Sequence, residues 1–210
     1  MRWITTICFG LCFVLAVAQN DKAFVQRQID AFSQELAIGG VKDWVVVKRY
    51  CEGRTEMIKM PDGSWCTSRG TYYTAYMLFD ANEQGVKLKK WDNCGEFEVR
   101  EIPLANHPGL KVLLAASASM ESEEVLAYKT AVRNTNPEQR TAIYNCKRDY
   151  HIRAGGKEFD KHFSLFALSN DSGQPNMNYP YNNALGLVKL ERQFDLLLKA
   201  YDTKLKRSKQ

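Results

Sequence analysis

Val25, Ile29, Phe32 and Leu36 recur at steps of three and four, which predicts one amphipathic helix over residues 23–38. Asp21 suits its start, and Gly39-Gly40 suits its end because glycine accepts the left-handed conformation of a helix stop. A strand-rich block follows. The β-branched and aromatic run 44–51 reads as a strand, Glu52-Gly53 as a tight turn, and 54–60 as a returning strand. Pro61-Asp62-Gly63 is strong turn chemistry. Further strands are expected over 71–80, 86–91 and 96–102, separated by turns at 82–85 and Asn93-Cys94-Gly95. Short turns between consecutive strands imply antiparallel neighbours, hence a meander of about five strands.

Beyond Pro103 the pattern changes. Residues 106–109 read as a loop, 120–133 as a helix with acids in its first turn, and Asn136-Pro137-Glu138-Gln139 as a second helix start. Over 141–150 helix and strand are both arguable. Gly155-Gly156 reads as a hairpin turn, 159–168 as a strand and 170–183 as a polar loop. The clearest helix is 184–205, where Leu187, Leu190, Phe194, Leu198, Tyr201 and Leu205 form a continuous stripe. The fold class is therefore α+β: an antiparallel meander packed on one face by the N- and C-terminal helices.

The N-terminus changes how the cysteines are read. Arg2 gives a positive start, and Ile4, Ile7, Phe9, Leu11, Phe13, Val14 and Leu15 an apolar stretch. Ala16-Val17-Ala18 offers small residues for signal peptidase, so residues 1–18 read as a signal peptide and 19–210 as a single secreted or periplasmic domain. No second apolar run is long enough to span a bilayer, so no transmembrane segment is expected. After the leader, Cys51, Cys66, Cys94 and Cys146 remain. An even number in an exported chain implies disulfides, and the irregular spacings without C-x-x-C argue against zinc. The meander decides the pairing. Its strand directions put Cys51 at one end of the sheet and Cys66 and Cys94 at the other, and a strand of about 17–20 Å separates the ends. The expected bonds are Cys66–Cys94 and Cys51–Cys146, the second stapling the later half of the chain onto the sheet.

The net charge of +5 is scattered, apart from Lys199, Lys204, Lys206, Arg207 and Lys209 near the C-terminus. These read as cations complementing the end of the last helix rather than as a patch for an anionic surface. They lack interleaved aromatics, and export removes nucleic acid as a partner.

The leader ending Ala18-Gln19-Asn20, the lysine-bearing first helix and the cysteine-containing meander resemble small exported proteins common in Bacteroidota, many of them uncharacterised. The resemblance covers the region to about Ile102. It carries no catalytic residues and implies only an envelope or secreted location.

Candidate chemistry is sparse. In the strand over 71–80, Tyr73, Ala75, Met77 and Phe79 point one way and look like core. Tyr72, Thr74, Tyr76 and Leu78 point the other. With Lys48, Lys59, Lys87, Lys89 and Arg100 nearby, this second set suggests a solvated tyrosine-lined face for a peptide, glycan or acidic ligand. Half-buried tyrosines of an ordinary sheet are the plainer explanation. Asp149-Tyr150-His151 and Asp160-Lys161-His162 each place an acid and a histidine two apart, hence on one face of an extended segment. Asp149, His151, Asp160 and His162 are thus weak catalytic or metal candidates, against a default of solvated surface histidines. His107 has less support. The amides and tyrosines of 174–183, with Tyr179 and Tyr181 as binding candidates, suit peptide or sugar contacts, although Asn183 would also cap the last helix. Asn170-Asp171-Ser172 is a glycosylation sequon, meaningful only in a eukaryotic host. Arg153-Ala154-Gly155-Gly156-Lys157 lacks phosphate-loop spacing, and no G-x-S-x-G occurs.

No assembled acid–base or nucleophile set, metal site or cofactor motif emerges. The chain reads as a non-enzymatic secreted or envelope binding or structural module for an unknown protein, peptide or glycan. The alternatives are a hydrolase using the Asp/His pairs, or an inhibitor or effector acting through 174–183.

Overall fold

Val45, Val46 and Val47 are almost fully buried because their strand, β1 (Trp44–Cys51), lies inside the sheet with a helix layer over each face. The computed structural model describes residues 21–80, 84–131, 145–170 and 173–208. The leader, the helix start at 136–139, the 82–83 part of one turn, two sequon residues and Lys209 lie outside the described residues. The other elements are α1 (Asp21–Ile38), β2 (Met57–Lys59), β3 (Trp65–Thr67), β4 (Tyr73–Phe79), β5 (Gly85–Asp92), β6 (Gly95–Glu96), β7 (Arg100–Pro103), α2 (Pro108–Ala115), β8 (Cys146–Ala154), β9 (Lys157–Ser164), α3 (Tyr179–Ala184) and α4 (Gly186–Tyr201). The main sheet is antiparallel, in the order β6-β5-β4-β1-β8-β9, with β7 also paired to β5.

The architecture is α+β with an antiparallel sheet, as the pattern predicts, but the meander is interrupted. β2 does not pair with β1. It closes on β3 as a separate two-stranded hairpin, and β1 pairs directly with β4 and β8. The segment around Arg54–Glu56 lacks the apolar residues that a place beside the buried valines demands, so it leaves the sheet. The chain then re-enters at the end it left: Tyr50 opposes Tyr73, and Thr74 opposes Asp92. All four cysteines therefore sit near one end.

The expected disulfides form, Cys51–Cys146 between register partners of β1 and β8, and Cys66–Cys94 between the annexed hairpin and the β5–β6 turn. The separation of cysteines to opposite ends is not what selects them. Lateral position does.

The helices lie on opposite faces of the sheet rather than on one. Val25 and Ile29 of α1 pack on Trp44, Val46, Ala75, Met77, Phe79 and Trp91. Leu187, Leu190, Phe194 and Leu197 of α4, with Leu110 of α2, pack on Val45, Val47, Tyr76, Leu78, Tyr150 and Ile152. Burying one such side chain contributes about 1.5–3 kcal/mol. Both sides of β4 are thus core, and the expected solvated face does not exist there.

Several local expectations change for backbone reasons. The described part of 120–133, up to residue 131, does not make the expected α-helix. A 3-10 turn ends at Ser122, Glu123 is extended, and the described chain beyond it is irregular. Its backbone finds partners in side chains instead: Asn182 Oδ1 accepts from the Leu126 N–H at 2.9 Å, and Asn182 Nδ2 donates to Leu126 O at 2.8 Å. Residues 106–109 are not all loop, since Pro108 opens α2. The 159–168 strand ends at Ser164 and continues as a 3-10 turn. The last helix is split, with α4 starting at Gly186 after the extended Leu185. Asn183 does not cap it. The Glu123 carboxylate does, accepting from the N–H groups of Gly186 at 2.9 Å and Leu187 at 2.7 Å.

Nor does α4 run to Leu205. It stops at Tyr201, and the chain returns beside β6, where Glu98 N–H donates to Lys206 O and Ser208 N–H to Glu96 O. Arg207 leaves the basic cluster and forks onto the fully buried Asp92 at 2.9 and 2.7 Å.

Candidate functional site

The β8–β9 hairpin is set by Gly155-Gly156, which take φ of 59° and 78° in a two-residue loop between the paired Ala154 and Lys157. Two left-handed residues favour the turn type that matches strand twist and fix the register. That register places Asp149 opposite His162 and His151 opposite Asp160. The acid–histidine pairs visible along each strand are therefore exchanged across strands. His151 Nδ1 lies 2.9 Å from Asp160 Oδ1, and His162 Nδ1 is hydrogen-bonded to Asp149 Oδ1.

The four side chains share the α1 face, because His151 opposes Val46 and Asp149 opposes Lys48 in β1. α1 covers β1, β4 and β5 and leaves the β8–β9 side open. A cleft of about 790 Å³ results, walled by Lys22, Gln26 and Asp30 of α1 on one side and by the histidine-bearing ribbon on the other.

Asp149 is the hub of this cleft. Its Oδ1 accepts from Tyr50 Oη at 3.3 Å as well as bonding His162, and its Oδ2 lies 3.6 Å from Lys22 Nζ. Lys48 Nζ donates to Gln26 Oε1 at 2.6 Å. Burial lowers the Lys48 ammonium from its usual range, opposed by the charge of Asp149 and reinforced by Lys22. Burial likewise pushes the Tyr50 phenol up, and Asp149 adds to the effect. Lys48, Tyr50, Lys22 and Gln26 carry no motif. Only the register of β1 against β8, together with the placement of α1, brings them in.

The two histidines are not equivalent. His151 Nε2 lies 3.3 Å from Glu158 Oε1, so both its nitrogens face carboxylates. His162 has a carboxylate on Nδ1, while no partner contacts its Nε2 among the described residues, and its side chain is 58% exposed. No hydroxyl or thiol is bonded to either imidazole among the described residues. The four cysteines are in disulfides. No three described His, Cys, Asp or Glu side chains converge as a metal ion needs.

The tyrosines lie elsewhere. Tyr72 Oη donates to Asp92 Oδ2 at 2.8 Å, and the buried Tyr76 donates to Asp202 Oδ1 at 2.9 Å. Both are used inside the fold and offer no binding face. In 174–183, Asn176 and Asn182 are buried and donate to Ala167 O at 2.9 Å each, while α3 takes up the segment's second half. Tyr179 is half-buried, and Tyr181, like Met177, is exposed. Most of the amides are structural stitching rather than a recognition loop.

No protein-family model matches the chain, and no curated protein matches it. No described helix is long and apolar enough to cross a membrane.

Proposed function

We propose that this chain is a non-enzymatic ligand-binding module, secreted or held in the cell envelope, and that its site is the cleft between α1 and the β8–β9 hairpin. The carrying observation is the convergence of Asp149, His162, His151 and Asp160 in one solvent-open cleft, with Lys22, Lys48 and Tyr50 beside the shared carboxylate. Lys22, Lys48 and Arg153 face Asp30, Asp149, Glu158 and Asp160. Both signs of charge beside apolar surface suit a charged peptide segment, whose backbone and side chains supply matching donors and acceptors. The two disulfides fit an oxidising location. Heteronuclear NMR of the mature protein against a panel of charged tetrapeptides tests this. Saturable shifts confined to the cleft, weakened at least tenfold in Asp149→Asn, are expected. Shifts confined to another surface, or none from any peptide, refute it.

A hydrolase is the second reading, favoured by one detail. A carboxylate on His162 Nδ1 leaves Nε2 as the outward atom, as in an oriented general base. Turnover of a peptide, ester or glycoside substrate by the mature protein, lost in His162→Ala, would replace the binding reading with this one.

A further inference from the structure

β9 is the outermost strand on its side of the main sheet and pairs with β8 alone. The two-residue turn makes Ala154 and Lys157 a hydrogen-bonded pair, and every second pair after it repeats that bonding. Lys157, Phe159, Lys161 and Phe163 therefore direct their backbone groups at β8. The N–H and C=O groups of Glu158, Asp160 and His162 point outward and have no partner among the described residues. Such an edge is a template for another extended chain.

The same three residues carry their side chains on the cleft face. Those of Asp160 and Glu158 are 84% and 53% exposed. Among the described residues their ionic contacts are His151, which touches both, and Arg153 Nε, 3.9 Å from Glu158. The lysines of β9 turn to the opposite face. There Lys157 Nζ donates to Glu121 Oε2, and Lys161 Nζ to the carbonyls of Glu121 and Glu123, each at 2.6 Å. The free edge is thus lined by acids, and its cations are used elsewhere. Opposite charges stabilise directly opposed cross-strand pairs and like charges destabilise them, so the complement of this edge is a basic strand. A second copy of the chain fits poorly. Two β9 edges meeting antiparallel about Asp160 would set that carboxylate against its own copy.

We infer that the peptide of the cleft is an extended basic segment of a partner protein, which adds to the sheet as a strand beside β9 and sets alternate lysine or arginine side chains against Glu158 and Asp160. This occupant presupposes the cleft reading and gives its ligand a conformation and a sign of charge. Backbone pairing would supply attachment, and the acidic row would supply selection.

Amide hydrogen exchange and chemical shifts, followed by NMR in the mature protein with the peptide Ac-Val-Lys-Val-Lys-Val-NH2, test the assignment. At saturation the Glu158 and Asp160 amides should exchange at least tenfold more slowly. Methylating the backbone nitrogens of both peptide lysines keeps their charge and removes the donors that face β9, and should weaken binding at least tenfold. Ac-Val-Glu-Val-Glu-Val-NH2 should bind at least tenfold more weakly than the lysine peptide. The double variant Glu158→Lys/Asp160→Lys, at exposed positions, should reverse that preference with an unchanged melting temperature. Shifts at Lys48, Tyr50 and Asp149 without slower exchange at Glu158 and Asp160 overturn the added strand and leave the cleft reading standing. So does undiminished binding of the methylated peptide, equal affinity for the acidic peptide, or an unchanged preference in the double variant. Slower exchange of the same amides as protein concentration rises, without peptide, would assign the edge to a second copy and also overturns the inference. Absence of binding by any charged peptide refutes the cleft reading and this one with it.

Discussion

Two of the carboxylate-centred charge clusters, those of Glu191 and Asp149, should differ sharply in their response to mutation. Glu191 in α4 is 2% exposed and is gripped by Arg148, by Arg49 at 3.1 Å and by the Tyr150 hydroxyl at 2.6 Å. Arg148 is itself buried. Removing one partner from such a set leaves desolvated charge behind and costs about 3–5 kcal/mol. Asp149 also has three partners, but the side chains of His162 and Lys22 are 58% and 49% exposed, so water screens them. Ion pairs of that kind contribute about 0–1 kcal/mol. Glu191→Ala should therefore lower the unfolding free energy by about 3–5 kcal/mol, and Asp149→Asn by no more than about 1 kcal/mol while weakening the proposed peptide binding at least tenfold. Urea unfolding of both variants followed by circular dichroism decides, with equal m-values required for the comparison. A loss below about 1 kcal/mol in Glu191→Ala, or one above about 3 kcal/mol in Asp149→Asn, would refute the division into a structural and a functional cluster.

Arg207→Ala should cost about 3–5 kcal/mol, because the fully buried Asp92 loses its forked partner; a change under about 1 kcal/mol in urea unfolding would deny the C-terminal latch. Cys51→Ser/Cys146→Ser opens a link spanning 95 residues and should cost up to about 4–5 kcal/mol in the chain-entropy account, seen as a lower thermal midpoint that added reductant does not lower as far as in the parent. Tyr72, Tyr76 and Tyr150 each donate to a carboxylate, and burial first, then that charge, raises all three phenols above 10.0. The folded state keeps these protons where the unfolded chain has lost them, so their stabilisation is complete below about pH 10 and is lost as pH rises further. Urea midpoints from pH 9 to 11 should fall, and Tyr76→Phe should flatten the decline; parallel curves would contradict it.

What could be read in the sequence follows from how local each cause is. The stripe through Leu187, Leu190 and Phe194 and the run Val45–Val47 announce elements whose own residues decide them. Three- or four-residue steps and β-branching act within one segment. The segment after Met120 fails that test. Its acids suit a helix start, yet Glu123 is used to cap α4 and Leu126 is held by Asn182, both distant in sequence. The placement of α1 on the other face from α4 is equally invisible, since each helix shows only that it has an apolar side. The consecutive apolar residues Trp44–Val47 of β1 bear on both faces of the sheet, which is the local feature that a layer on each side satisfies. The disulfide pairs agree with those a simple meander implies, although the strand order differs, because Cys51 and Cys146 are lateral neighbours in β1 and β8.

The cleft illustrates the same point for chemistry. Asp149, His151, Asp160 and His162 could be picked out along the chain, but their in-strand spacing suggests the wrong partners. The two-glycine turn supplies the missing information. It makes position 154 face 157, which carries 151 to 160 and 149 to 162, so each histidine takes the other strand's acid. A register shifted by one residue would oppose each acid to a residue of the other face and dissolve both pairs. The site is thus written in three separate signals, the spacing of two along each strand, the glycine pair and the β1 register that adds Lys48 and Tyr50. Only the first is carried by the acids and histidines themselves, which is why reading along the chain finds candidates here and a backbone is needed to bring them together.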